Sequence, residues 1–359
     1  MEAATVDWSM GARASALVDW NTAAETGRRV GGGGPQTPPA FRARMREDLA
    51  EIVPLSESLI SEFTGLTAPG GFRSRAWVMS RGEWVGANLG GLQRLLEPLA
   101  KRVLPEGTPR SDLRRKALGA QIGVLLGYVS RKVLGQYDAF LPPDDEGLLY
   151  FVGPNLVEVE RRFELPPRDF RLWVAVHEVT HRVQFGSTPW LRPYLERMIG
   201  RYLETVQVDS REVLAQVRRA ADAVRRGADW RGANGVLLLM NDEQRALFAQ
   251  MQSLMTVLEG HASFVMNAVA EGRVQDLPRM RRALQQRRRS RGGVEKVFQQ
   301  AIGFETKVRQ YAAGERFVRT IVREAGMDGL NRIWQDEANL PRPDEIAEPD
   351  RWVGRVARG

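Results

Sequence analysis

Cysteine is missing from all 359 residues of the chain. Its absence removes disulfides and every thiolate metal site, so any metal ion must be held by imidazole nitrogen and carboxylate oxygen, and it suits a reducing compartment. Histidine is nearly as scarce, with three in the chain. The first residues, MEAATVDWSMGARASALVDW, hold neither a basic leader nor a continuous apolar block, which argues against a secretory signal. Long apolar runs are also lacking. The longest mostly apolar stretch, ALGAQIGVLLGYVS at 117–130, is too short to span a bilayer, carries a glutamine and reads as a buried helix. The expectation is a cytoplasmic protein with no membrane insertion.

What is present is a chain that is 43% apolar, enough to fill a sizeable core. The net charge of +8 would attract phosphate backbones. Its detail argues against a nucleic-acid partner. Of the 52 basic residues only Lys101, Lys116, Lys132, Lys296 and Lys307 are lysine, and so strong an arginine bias beside abundant Ala and Gly is what a GC-rich genome produces. The densest cluster, RMRRALQQRRRSRGG at 279–293, has no aromatic residues among its arginines for bases to stack on, and reads as a solvated helix end.

GGGGPQTPP at 31–39 is the one strong linker, because four glycines and three prolines sustain neither helix nor central strand. It sets off an N-terminal helix and linker, 1–39, from a single domain over 40–359. Helical periodicity then dominates. Helices are expected from Phe41 to Glu62 with a break or kink at Pro54, from Val85 to Leu104, and from Ser111 to Leu134 with Ser111 as cap. Further helices are expected near 190–206, 210–226 and 242–270, with several more between 294 and 335. GLLYFVGPN at 147–155 reads as a strand, and AWVMSRGEWV at 76–85 as a weaker one. The fold class that follows is mainly α with a small β-sheet.

Two of the three histidines fall in HEVTH, 177–181, inside the apolar run RLWVAVHEVTHRVQF. Pro166, Pro167 and Asp169 mark a helix start, and the helix should run to Phe185, ending before Gly186. On it His177 and His181 stand one turn apart, so both imidazoles can reach one ion. Glu178 is displaced by one residue, beside the ion, where its carboxylate can take a proton from water that the ion activates.

A catalytic zinc needs a third protein ligand and an open position. A metzincin would continue with a glycine and a third histidine, but Gln184 and Ser187 stand in those places. The remaining histidine and a glutamate lie in LMTVLEGHASFVMNAV, 254–269. Glu259 and His261 differ by roughly 200° around a regular helix, so both cannot reach one ion from it. Glu259 shares its face with Thr256, Ala262 and Ser263, small neighbours that leave room for an ion, and is taken as the ligand. His261 then reads as a satisfied core histidine, as a group that orients a ligand or stabilises an oxyanion, or as the ligand itself. Gly260 permits a close approach of the two site helices.

These residues resemble the zincin clan, in the arrangement where a downstream helix supplies a glutamate ligand. VAVHEVTHRV matches the extended zincin signature at most positions and departs at Arg182, where an uncharged residue is usual. More narrowly, the chain resembles an actinobacterial and chloroflexal family of zincin-like metallopeptidases, one branch of which is associated with deazaflavin-coenzyme biosynthesis. The segments VDWNTAAETGRRV, KVLGQYD, LYFVGPNLVEVE, HEVTHRVQFGSTPWL, LEGHASFVMN, ETKVRQYAAGERFV and LPRPDEIAEPDRW carry the likeness over nearly the whole chain.

The resemblance implies a zinc site of His177, His181 and Glu259 with Glu178 as general base, acting on a peptide or another amide. It makes LLYFVG either the edge strand that pairs with an extended peptide or core, and Tyr311 either an oxyanion donor or a partly buried helix residue. The expected function is a zinc metallohydrolase, first of all a peptidase. The alternatives are a zinc amidase or esterase with a non-peptide substrate and an inactive zincin-like binding or scaffold protein.

Overall fold

The structure, a computed structural model, describes residues 14–67, 74–103, 111–138, 147–205, 240–289 and 304–358. It divides into two compact units, Met1–Ser56 with Gly71–Glu178, and Glu57–Gly70 with Val179–Gly359. The expected helix at 210–226 and residues 290–293 of the arginine cluster lie outside the described residues.

The first unit begins with α1 (Ala14–Leu17), α2 (Trp20–Gly31) and α3 (Pro39–Thr64), the last of which runs on into the second unit. Asp19 starts α2 by accepting the Thr22 backbone N–H at 2.8 Å. That bond holds its carboxyl below the usual aspartate range. α3 continues through Pro54 as one helix. Next come β1 (Arg75–Met79), α4 (Arg81–Val103), α5 (Asp112–Ser130), β2 (Gly135–Tyr137), β3 (Leu148–Val152), α6 (Gly153–Arg162) and α7 (Pro167–Ser187), whose last turns belong to the second unit.

α2 lies backbone to backbone on α5, since a Cβ at Gly123 would stand 2.5 Å from the Ala23 carbonyl oxygen. Trp20, Ala23, Met79, Trp84, Val85, Leu89, Tyr150 and Val152 form the core beside them. The N-terminal half of α7 is anchored by Arg171, 2% exposed, whose Nε and Nη2 donate to the two Glu160 carboxylate oxygens at 2.8 and 2.9 Å. Burial pushes the Glu160 carboxyl up, and Arg171 opposes it.

The three strands form one sheet in the order β1-β3-β2, with β1 parallel and β2 antiparallel to β3. LLYFVG is therefore the central strand, paired on both sides and buried from Leu149 to Val152, and is not the edge. The segment at 76–85 is a strand only to Met79. Ser80 and Glu83 then cap α4 reciprocally, the Ser80 N–H donating to the Glu83 carboxylate and the Glu83 N–H to the Ser80 hydroxyl. Ser111 caps α5 as expected, but α5 stops at Ser130 and not Leu134, because Gly135–Tyr137 pairs with β3.

The second unit holds α8 (Leu191–Thr205), α9 (Asp242–Ala270), α10 (Leu277–Arg289), α11 (Phe304–Asn331), α12 (Pro343–Ala347) and α13 (Pro349–Trp352). Asn241 and Gln244 form the capping box that begins α9. α9 and α11 cross with their backbones in contact. A Cβ on Gly260 would stand 2.5 Å from the Gly314 Cα, and one on Gly314 would run into the Thr256 carbonyl. The atoms that a Cβ at Gly260 would meet first thus belong to α11. α11 kinks at Gly326, where φ is +70°. In α10 Leu277, Met280 and Ala283 turn inward while Arg281 and Arg282 face solvent. Among the described residues no helix is long and apolar enough to cross a membrane.

Candidate metal centre

The centre is built on α7, which carries HEVTH as one unbroken helix. It begins at Pro167 with Asp169 in its first turn, as the sequence implies. It continues past Phe185, with Gly186 in helical conformation, to Ser187, whose hydroxyl donates back to the Val183 carbonyl at 2.7 Å. His177 and His181 share one face, and α9 brings Glu259 to them. One ligand atom from each of the three residues lies within 4.8 Å of the others. The His181 Nε2 and a Glu259 carboxylate oxygen are 3.7 Å apart. Two atoms each about 2.1 Å from one ion stand about 3.4 Å apart at the tetrahedral angle, so this separation needs little adjustment. All three side chains are partly exposed. Two imidazoles and one carboxylate, with no thiolate, are the donor set of an open catalytic zinc site, so the residues present fit that ion.

Glu178 sits one residue beyond His177 and is 8% exposed. Its side chain packs on β2, where a Cβ at Gly135 would stand 2.5 Å from its Cγ and 3.0 Å from its Oε1. Glycine at 135 is what leaves the carboxyl its place. Gly135 was not singled out in the sequence, and no local signal there indicates that the strand faces α7.

His261 is wholly buried and does not belong to the three-residue cluster. Its Nδ1 lies 2.9 Å from the Gln184 amide nitrogen, and its ring is 5.3 Å from that of Trp334. Its Nε2 has no hydrogen-bond partner among the described residues. Burial, helped by the nearby His181, lowers its pKa from 6.5 to about 3, so it is a neutral imidazole at ordinary pH. Gln184 also bonds His181 and the Leu258 carbonyl. It is the residue that stands in place of the metzincin glycine. A spacing of seven from His177, which returns it to the ligand face of the helix, is the signal that could have found it.

Arg182, the departure from the zincin signature, is 4% exposed and donates to Glu57 of α3 at 2.9 Å, so its charge is paired. The side chain of Tyr311 lies outside the described residues.

The profile of the zincin-like metallopeptidase family matches residues 18–353. A solved structure from Chloroflexus aurantiacus, described as a candidate hydrolase with a novel fold, is 30% identical with a TM-score of 0.71. The alignment covers 96% of this chain and 100% of that one. No curated protein matches the chain. The match over nearly the whole chain, together with the helix-borne histidine pair, its adjoining glutamate and the converging Glu259, places this chain in the zincin-like metallopeptidase family.

Proposed function

We propose that the chain is a zinc-dependent peptidase in which His177, His181 and Glu259 hold the ion and Glu178 is the general base. The observation that carries this reading is the convergence of two imidazoles from α7 and one carboxylate from α9 within 4.8 Å, with a buried glutamate next to His177 on α7. Zinc held there supplies Lewis acidity, polarising a carbonyl and lowering the pKa of water to about 7.

The chain's own residues supply the rest. Glu178 accepts the proton of the attacking water and returns it to the leaving amine nitrogen. Packing against Gly135 confines its carboxyl, so less orientational freedom is lost at the moment of transfer. Among the described residues β2 is an edge of the sheet, and its Gly135 is the residue in contact with Glu178. An extended peptide pairing along that edge runs past the base, with main-chain bonds giving affinity and little sequence choice. The absence of cysteine supports a cytoplasmic setting.

The test is Glu178→Gln, assayed on a mixture of unstructured peptides with zinc content measured in parallel. The expected variant keeps its zinc and loses hydrolysis by at least about a hundredfold. Undiminished cleavage would remove Glu178 from the role. Turnover of small amides or esters with no peptide cleavage would replace the peptidase reading with a non-peptide hydrolase.

A further inference from the structure

One backbone carbonyl sets the orientation of a chain of side chains behind the candidate centre. The Leu258 carbonyl can only accept a hydrogen bond, so the Gln184 atom 3.0 Å from it is the amide nitrogen. The other end of the amide, Oε1, then faces the His181 Nδ1 at 2.9 Å. An amide oxygen can only accept, so that ring nitrogen carries the hydrogen, and the His181 Nε2 keeps its lone pair on the side of Glu259. The second hydrogen of the Gln184 amide points at the His261 Nδ1, 2.9 Å away, which must be the bare nitrogen of that ring. Gln184 is fully buried, so water does not compete for these bonds.

We propose that Gln184 is a positioning residue, whose amide, held by Leu258 and His261, fixes His181 as the Nδ1–H tautomer with Nε2 presented to the metal. The proposal rests on the reading of His181 as a ligand. It also gives His261 a task in a wholly buried place, that of receiving the amide hydrogen which keeps Gln184 from turning over. Were the amide flipped, its oxygen would meet the Leu258 carbonyl and its NH2 group would meet the His181 Nδ1, so ligand and support would both be lost. A histidine ligand commonly donates its other ring nitrogen to a neighbour that sets its tautomer and angle, and losing that neighbour costs about 10–100-fold in metal affinity.

The experiment uses the full chain with 15N-labelled histidine, free of metal, at a pH about 1.5 units above the ordinary imidazole pKa. With three histidines the ring signals are assigned by His177→Asn, His181→Asn and His261→Phe variants. The expected spectrum shows His181 protonated at Nδ1 and His261 protonated at Nε2. The opposite tautomer at either ring would overturn the proposal.

In Gln184→Met, which keeps the bulk and removes all three bonds, His181 should lose its Nδ1–H preference. The zinc dissociation constant from chelator competition should rise about 10–100-fold. Gln184→Glu retains an acceptor for His181 and should hold the tautomer, with zinc affinity recovered toward wild type. An unchanged zinc affinity in a folded Gln184→Met protein would also overturn the proposal. Should that variant fail to fold, the wild-type tautomers decide alone. A wild-type chain that binds no zinc would defeat the functional reading, while the tautomers would still test the bridge.

Discussion

The carboxyl of Glu178 lies directly on the backbone of Gly135, with room at position 135 for a hydrogen and no more. The proposed base and the edge strand are thereby joined, through a residue type that no helix pattern or charge pattern marks. A methyl group at 135 would stand 2.5 Å from the Glu178 Cγ, closer than real carbon neighbours come, and Glu178 must turn aside.

Gly135→Ala is therefore expected to keep its zinc and fold while hydrolysis falls about a hundredfold, because displacing a reacting group by about 1 Å costs on that order. The measurements are metal content and peptide turnover on the same preparation. Full activity in the alanine variant would mean that the Glu178 position seen here is not the working one.

Gly314→Ala tests the crossing of α9 and α11. The new methyl runs into the Thr256 carbonyl and stands 3.0 Å from the Gly260 Cα, one residue from Glu259. Overpacking of this kind costs about 1–3 kcal/mol. Urea unfolding should show that loss, and zinc affinity should fall with it because the ligand-bearing turn of α9 is pushed. A variant as stable as wild type would show that the helices part at no cost.

The neutral, buried His261 gives the metal-free chain a pH dependence of known sign. Its folded pKa of about 3 lies below the ordinary 6.5, so the unfolded chain takes up a proton first as pH falls. The associated stability is complete above pH 6.5 and is lost between 6.5 and 3, by about 1.4 kcal/mol per pH unit. Unfolding of wild type and His261→Phe, compared from neutral pH down to about pH 5, should show wild type losing this increment and the variant lacking it. Parallel curves would contradict the burial of a neutral ring.

Much of the fold was open to a reading of the sequence where local chemistry decides structure. Ser111 capped α5, Asn241 with Gln244 began α9 at the expected residue, and Pro167 with Asp169 opened the HEVTH helix. The same logic was available at Ser80 and Glu83, but the aromatic and β-branched run before them suggested a strand running through. What stayed hidden depends on long-range pairing. Gly135–Tyr137 is too short to alternate visibly and exists because β3 offers it a partner. LLYFV looks alike at the edge or in the middle of a sheet until its neighbours are known.

In the candidate centre, angular separation on a helix allowed only one of Glu259 and His261 to join the histidine pair, the small neighbours of Glu259 favoured it, and Glu259 is the one that lies beside His177 and His181. Helical spacing could mark Gln184 as facing the centre but not what it bonds, and nothing marked Gly135, because the contacts of each are defined by what a different segment brings to it. Arg182 looked discordant for the same reason, since its partner Glu57 lies 125 residues earlier.

Three side chains from two helices, His177, His181 and Glu259, are proposed to hold one catalytic zinc. The most direct test is metal content by mass spectrometry on the chain purified without chelator, beside His177→Ala, Glu259→Ala and His261→Phe. About one zinc per chain is expected in wild type, with loss in His177→Ala and Glu259→Ala and retention in His261→Phe. Absence of metal from wild type even after zinc is supplied, or loss in His261→Phe with retention in Glu259→Ala, would contradict the proposed site.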